Sequence, residues 1–323
     1  MSAPVTTALP PRLWTAPSTA LLAAAVTVLL WASAFVGIRA VGADFSPGPL
    51  TLARLLVGSL VLGGVVLVRG LVLPRGRQLL FIVLYGLLWF AGYNIALNAA
   101  EQTLDAGTAA MLVQIAPIIV AILAGHFLKE GFPPRLFAGS AVALLGAVII
   151  AAGSGGDRRI GLTGVLVCLL AGVLYAAGMV AQKPVLRTIP ALQATWLGCT
   201  VGLVACLPFG PSLWTEVAEA STGSILGLIY LGVFPTAVAF TTWAYALSRT
   251  PAGQLGATTY LVPVVAAGMS WVLLDEVPPA LSFLGGALCL VGVAFTRLGP
   301  RRSPVKVAGS VGLPRRRASL RLD

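Results

Sequence analysis

Hydrophobic residues make up 58% of this 323-residue chain and charged residues 10%, so a polar group inside an apolar run is where chemistry can be done. Asn94 and Gln114 are the clearest cases, because an amide in hydrocarbon needs a partner or a wet cavity. Trp31, Ser33, Trp89, Tyr93, Tyr175, Thr242, Trp243, Tyr245 and Tyr260 add indole, phenol and hydroxyl groups from other apolar runs. Together they can hold a small molecule by hydrogen bonding and ring contact. Each aromatic also has a plainer reading, as a packing residue or a member of an interface belt. Groups for bond-making chemistry are scarce. The single histidine, His126, sits beside Lys129 and Glu130, where an interfacial residue is the simpler reading and a proton relay the other. Cys168, Cys199, Cys206 and Cys289 lie in apolar runs without Cys-x-x-Cys spacing and read as small packing residues. An enzyme, a metal centre and a bound cofactor are therefore not expected.

Charge is more telling. Arg54 lies about two turns into an apolar run, where a lipid-facing cation costs ~2.5–3.5 kcal/mol, so it must face protein or water. Asp44, Glu101 and Asp105 are its nearest expected partners. A structural ion pair and an anion-attracting role at a cavity mouth are both open. Glu130 and Glu276 each end an apolar run just before a proline break and are expected to hold a neighbouring helix end. Pro117 and Pro263 sit near the centres of their runs. Each lacks an N–H and crowds the carbonyl four residues back, at Val113 and Thr259. In a bilayer that carbonyl needs a substitute partner, so both prolines are expected to mark a cavity wall and to act as hinges.

The elements that position these residues are membrane spans. Mean hydropathy is +0.96, and a soluble domain carries roughly 25% charged residues. Runs of about twenty apolar residues predict helices, since barrel strands would alternate polar and apolar. The expected spans are Leu21–Ile38, Leu50–Val68, Leu79–Asn98, Ala106–Phe127, Leu136–Gly153, Thr163–Gln182, Leu192–Phe209, Ser224–Leu247, Ala252–Leu274 and Ala280–Phe295. Arg12 and Ala32-Ser33-Ala34 mimic a cleaved leader, but the apolar run continues beyond them and the first span reads as retained. Residues 1–17 form a tail. Residues 298–323 form a basic one, suited to anionic lipid rather than nucleic acid.

The span from Gly107 to Ile150 recurs 146 positions on. Gly107 maps to Gly253, Pro117 to Pro263, Glu130 to Glu276, Pro133 to Pro279, Gly139 to Gly285 and Gly146 to Gly292. The chain reads as a duplication, with repeats at 18–153 and 163–297 joined by a linker at 154–162. Basic residues set the orientation. Arg12, Arg69, Arg75, Arg77, Lys129, Arg135, Lys183, Arg187, Arg249 and the C-terminal tail fall on one side, and most acidic residues on the other. Both termini are thus expected in the cytoplasm. Five spans per repeat is an odd number, so the second repeat is inverted. That symmetry gives inward- and outward-open states of one fold, with a site between the repeats.

Trp31-Ala-Ser-Ala-Phe35 at the end of the first span, Arg54 in the second, and Pro117 with Leu128-Lys129-Glu130 around the fourth resemble the EamA-type drug/metabolite transporter superfamily. The resemblance covers about Leu21 to Phe295. The chain departs from the pattern at Tyr175, where a tryptophan is expected, and at Lys129 and Asp275, where a glycine commonly precedes the Glu. The resemblance implies an all-α integral membrane protein of ten helices in two inverted five-helix repeats. It implies a secondary transporter of small metabolites, exporting amino acids, related compounds or drugs by alternating access. The alternatives are a uniporter or channel-like facilitator and a non-transporting scaffold. The expected partners are the plasma membrane bilayer and a small-molecule substrate, with a coupled proton left open and no nucleic acid.

Overall fold

A computed structural model describes residues 18–104, 109, 112–153, 162–274 and 280–297, and among these every regular element is helical. In chain order the helices are α1 (Ser18–Val41), α2 (Pro47–Arg69), α3 (Arg77–Thr103), α4 (Ala116–Phe127) and α5 (Pro134–Gly153). There follow α6 (Leu162–Val185), α7 (Ala191–Glu219), α8 (Thr222–Leu247), α9 (residues 252–274) and α10 (Ala280–Arg297). Helices α1, α2, α3, α6, α7 and α8 are long and apolar enough to cross a membrane, and shorter apolar helices occur within α4, α5 and α10. A helix satisfies its own backbone hydrogen bonds, as a lipid-facing segment must. Proline marks several starts. Pro47 lies in the first turn of α2, Pro134 opens α5, and Pro190 and Pro251 directly precede α7 and α9, positions where the missing N–H has no intrahelical partner to lose.

Two features depart from uniform spans. Helix α7 does not end at Phe209. It passes through the 3-10 turn Leu207–Phe209 and continues as Gly210–Glu219, because Pro208 and Pro211 fall at first-turn positions and do not interrupt a hydrogen bond. Helices α3 and α8 each contain a π-helical segment, Gly86–Tyr93 and Gly232–Val238. Residues 86 and 232 are 146 positions apart, the spacing at which the apolar punctuation recurs. A π segment leaves carbonyls that need other partners. In α3, Asn94 Nδ2 donates to the carbonyls of Trp89 (3.1 Å) and Phe90 (2.9 Å). In α8, which has Pro235 inside the segment, the Thr236 hydroxyl donates to the Leu231 carbonyl (2.8 Å).

The proline helices are broken rather than smoothly bent. The chain turns at Gln114–Ile115, and Pro117 falls in the first turn of α4. In α9 the turn is the 3-10 segment Ala257–Tyr260, between Ala252–Gly256 and Leu261–Leu274, and Pro263 lies just beyond it.

Helices α5 and α10 meet backbone to backbone. A Cβ on Gly139 would lie 2.6 Å from the Gly292 carbonyl oxygen, and one on Gly146 would lie 2.5 Å from that of Gly285. The principal core is formed instead by residues of α1 to α4 and α6 to α9, around Tyr85, Trp89, Phe90, Met179, Phe240 and Trp243.

Candidate substrate cavity

Six helices bring their polar and aromatic residues to one cavity. Helix α1 contributes Trp31, Ala34, Phe35 and Ile38, and α3 contributes Trp89, Tyr93, Asn94 and Leu97. Val113 and Gln114 enter just before α4, Tyr175 from α6, Phe240 from α8, and Thr259 and Val262 from α9. Arg54 of α2 completes the lining and brings a charge to it.

The aromatic rings touch one another. Trp31 lies 4.9 Å from Trp243, 5.4 Å from Phe240 and 6.1 Å from Trp89 between centroids. Tyr175 is 5.2 Å from Trp89 and 5.7 Å from Tyr93. Gln114 Nε2 donates to the Thr259 carbonyl at 2.8 Å. That carbonyl is the one Pro263 leaves without its helical donor, so a side chain of one broken helix serves the backbone of the other.

The remaining sequence candidates lie elsewhere. The Ser33 hydroxyl bonds that of Tyr230 at 2.6 Å, and Thr242 bonds Thr27 at 2.8 Å. Trp243 packs fully buried behind Trp31. Tyr260 is buried among Ala121, Leu136, Ala143 and Val293. Tyr245 reaches Thr19 at 3.1 Å, with the Arg249 guanidinium 3.6 Å above its ring. His126 is exposed beside Phe127. The four cysteines are free and buried. Phe35 and Phe240 were not named as site residues from the sequence, and Thr259 only for the carbonyl that Pro263 frees, since an apolar or small side chain in an apolar run carries no mark of lining a cavity.

Acidic residues serve helix starts. Glu130 accepts from the N–H groups of Ala252 (2.8 Å) and Gly253 (3.2 Å), while Lys183 Nζ donates to the carbonyls of Leu247 and Thr250. The turn between α8 and α9 is thus held by an acid at the following N-terminus and a base at the preceding C-terminus, as the helix dipoles favour. Toward the opposite end, Glu216 accepts from the Ser46 N–H (3.1 Å) and hydroxyl (2.5 Å), and Asp44 accepts from the Ser221 N–H and hydroxyl (both 3.1 Å). Hydroxyl and backbone donors of Ser224 and Ser221 hold the Asp44 carboxyl below its ordinary value. Glu276 lies outside the described residues, as do the two tails and the central linker.

Arg54 differs from all of these. It is 5% exposed, and its Nε is buried with no hydrogen-bond partner. Of the acids named for it, Asp44 is committed to Ser221, and Asp105 lies outside the described residues. Glu101 is close enough for its charge to act on Arg54, yet keeps a buried carboxylate oxygen without a partner.

Long apolar helices around an aromatic cavity define a multi-pass membrane protein. The chain belongs to the EamA-like transporter family, which matches twice, over residues 18–152 and 162–298. It is 38% identical over 289 residues to a probable terminal-alkyne amino-acid exporter of Streptantibioticus cattleyicolor, an alignment covering 88% of this chain and 96% of that one. It is also 38% identical to the uncharacterized transporter YdfC of Bacillus subtilis, covering 83% of this chain and 88% of that one. A solved crystal structure with 20% identity superposes with a TM-score of 0.73, over 88% of this chain and 99% of that one, and shares the fold.

Proposed function

We propose that this protein is a secondary transporter that exports small metabolites, amino acids or related compounds or drugs, across the plasma membrane by alternating access. The observation that carries this reading is the cavity itself. Both halves of the sequence line it, and the broken segments before Pro117 and Pro263 border it through Gln114 and Thr259. The ten-helix, two-repeat plan is supported by the double family match and by the equal spacing of the π segments. In this reading the two proline breaks bend in opposite senses as access alternates, and the relative named as an amino-acid exporter supports amino acids as the substrate class. The full chain in proteoliposomes should show saturable, counterflow-competent flux of apolar amino acids. Unsaturable flux without counterflow would make it a channel-like facilitator, and no flux for any of a broad metabolite set would leave a scaffold.

A further inference from the structure

We propose that Arg54 is the substrate's carboxylate-binding point, so that the cavity takes a small monocarboxylate with an apolar body. The proposal rests on the transport reading for its context and on the geometry of the cavity for its substance. Arg54 reaches the cavity from α2 nearly fully buried, with Nε unpartnered, and no Asp or Glu is among the lining residues. The unpartnered Nε–H belongs to a rigid fork of five N–H donors, always charged and matched in shape to a carboxylate, and the nearby Glu101 charge leaves that donor unused. Burial without a hydrogen-bonded partner is costly. A carboxylate entering the cavity engages that fork in a bidentate, charge-assisted pair.

The neighbouring walls define the rest of the ligand. Trp31, Phe35, Ile38, Leu97, Phe240 and Val262 offer ring faces and aliphatic surface to an apolar body, and the buried, unpartnered Tyr175 hydroxyl adds one neutral polar point among them. Asn94 Nδ2 is taken up by Trp89 and Phe90, while Gln114 Nε2, with one N–H on Thr259, keeps its second as an uncharged donor weaker than the guanidinium. Inorganic phosphate has the charge but no apolar body and leaves these walls uncovered.

The test uses matched pairs that differ only at the carboxyl group: L-phenylalanine, L-leucine and L-methionine, each against its carboxamide. Thermal stabilisation of the purified full chain reports binding, and counterflow in proteoliposomes reports transport. Wild type should prefer the acid of at least one pair by roughly tenfold or more, with inorganic phosphate failing to compete. Arg54→Gln should reduce the preference to about one, chiefly by weakening the acid, and Arg54→Lys should restore part of it. Glu101→Gln and Asp105→Asn should keep the preference, because in this reading neither is what Arg54 is for. The proposal is overturned if wild type distinguishes no acid from its amide, if folded Arg54→Gln keeps the preference, or if Glu101→Gln abolishes it as Arg54→Gln does. Should Arg54→Gln fail to fold, the Lys variant decides, and an undiminished preference there likewise overturns the fork. Carboxylate-dependent binding without flux would instead overturn the transport reading and leave the binding site standing.

Discussion

Asn94 and Gln114 border the cavity, yet each gives its amide nitrogen to a backbone carbonyl, Asn94 to the π segment of α3 and Gln114 to the carbonyl freed by Pro263. Removing either side chain leaves a buried carbonyl short of a donor, at a cost of ~1–3 kcal/mol. Asn94→Ala and Gln114→Ala should therefore lower the thermal midpoint in detergent as well as the flux, and should impair flux more than removal of any one cysteine does. Wild-type flux in both variants would place the transport route elsewhere. At this scale the sequence was a partial guide. It marks polarity but not helix rotation, so Trp243, one turn from Phe240, could not be told from it: Phe240 lines the cavity and Trp243 packs behind Trp31. Ser33 and Thr242 were legible as polar, but their partners Tyr230 and Thr27 come from distant parts of the chain.

Helix positions were readable because long apolar runs and proline breaks report directly on what a bilayer tolerates. The π segments were not, since a helix apolar all round has no periodicity to disturb. Glycine spacing was more informative. The seven-residue spacing of Gly139 and Gly146, and of Gly285 and Gly292, is a face of α5 against a face of α10. Small residues let the backbones approach closely where lipid offers no hydrophobic drive to pack. A Cβ on Gly292 would lie 2.5 Å from the Ala143 nitrogen and 2.6 Å from the Gly139 carbonyl oxygen, atoms that cannot rotate aside. Gly292→Val should destabilise the protein by ~1–3 kcal/mol or more, the usual cost of overpacking. Gly64→Ala, with nothing within 4 Å of the added carbon, should be neutral or slightly stabilising. Equal thermal midpoints for the two variants would refute the close contact.

Across the whole molecule, contacts sort the connections into the same two ends as the charges do. Lys183, Glu130 and the α8–α9 turn meet at one end, and Asp44, Ser46, Glu216 and Ser221 at the other. The bias of Lys and Arg toward the first end is the ground on which we propose it as the cytoplasmic one. Reporter fusions after Arg187 and Arg249 should register cytoplasm, and a fusion near Glu216 the outside. Reversed signals would overturn the proposed orientation.

The clamp on the α8–α9 turn has a genetic consequence. Glu130 and Lys183 grip only main-chain groups, the N–H of Ala252 and Gly253 and the carbonyls of Leu247 and Thr250. A lost salt bridge can be repaired by changing the opposite side chain, but a lost main-chain partner cannot, because there is no opposite side chain to change. Glu130→Ala should cost ~1–2 kcal/mol, as other lost helix caps do, with Glu130→Gln falling between it and wild type. A suppressor of Glu130→Ala must then give α9 a cap of its own. The position for that is Pro251, the residue before the first turn, which offers no side-chain acceptor. Pro251→Ser or Pro251→Asp should rescue the Glu130→Ala thermal midpoint, and no substitution of Leu247 or Thr250 that leaves the backbone in place should do so.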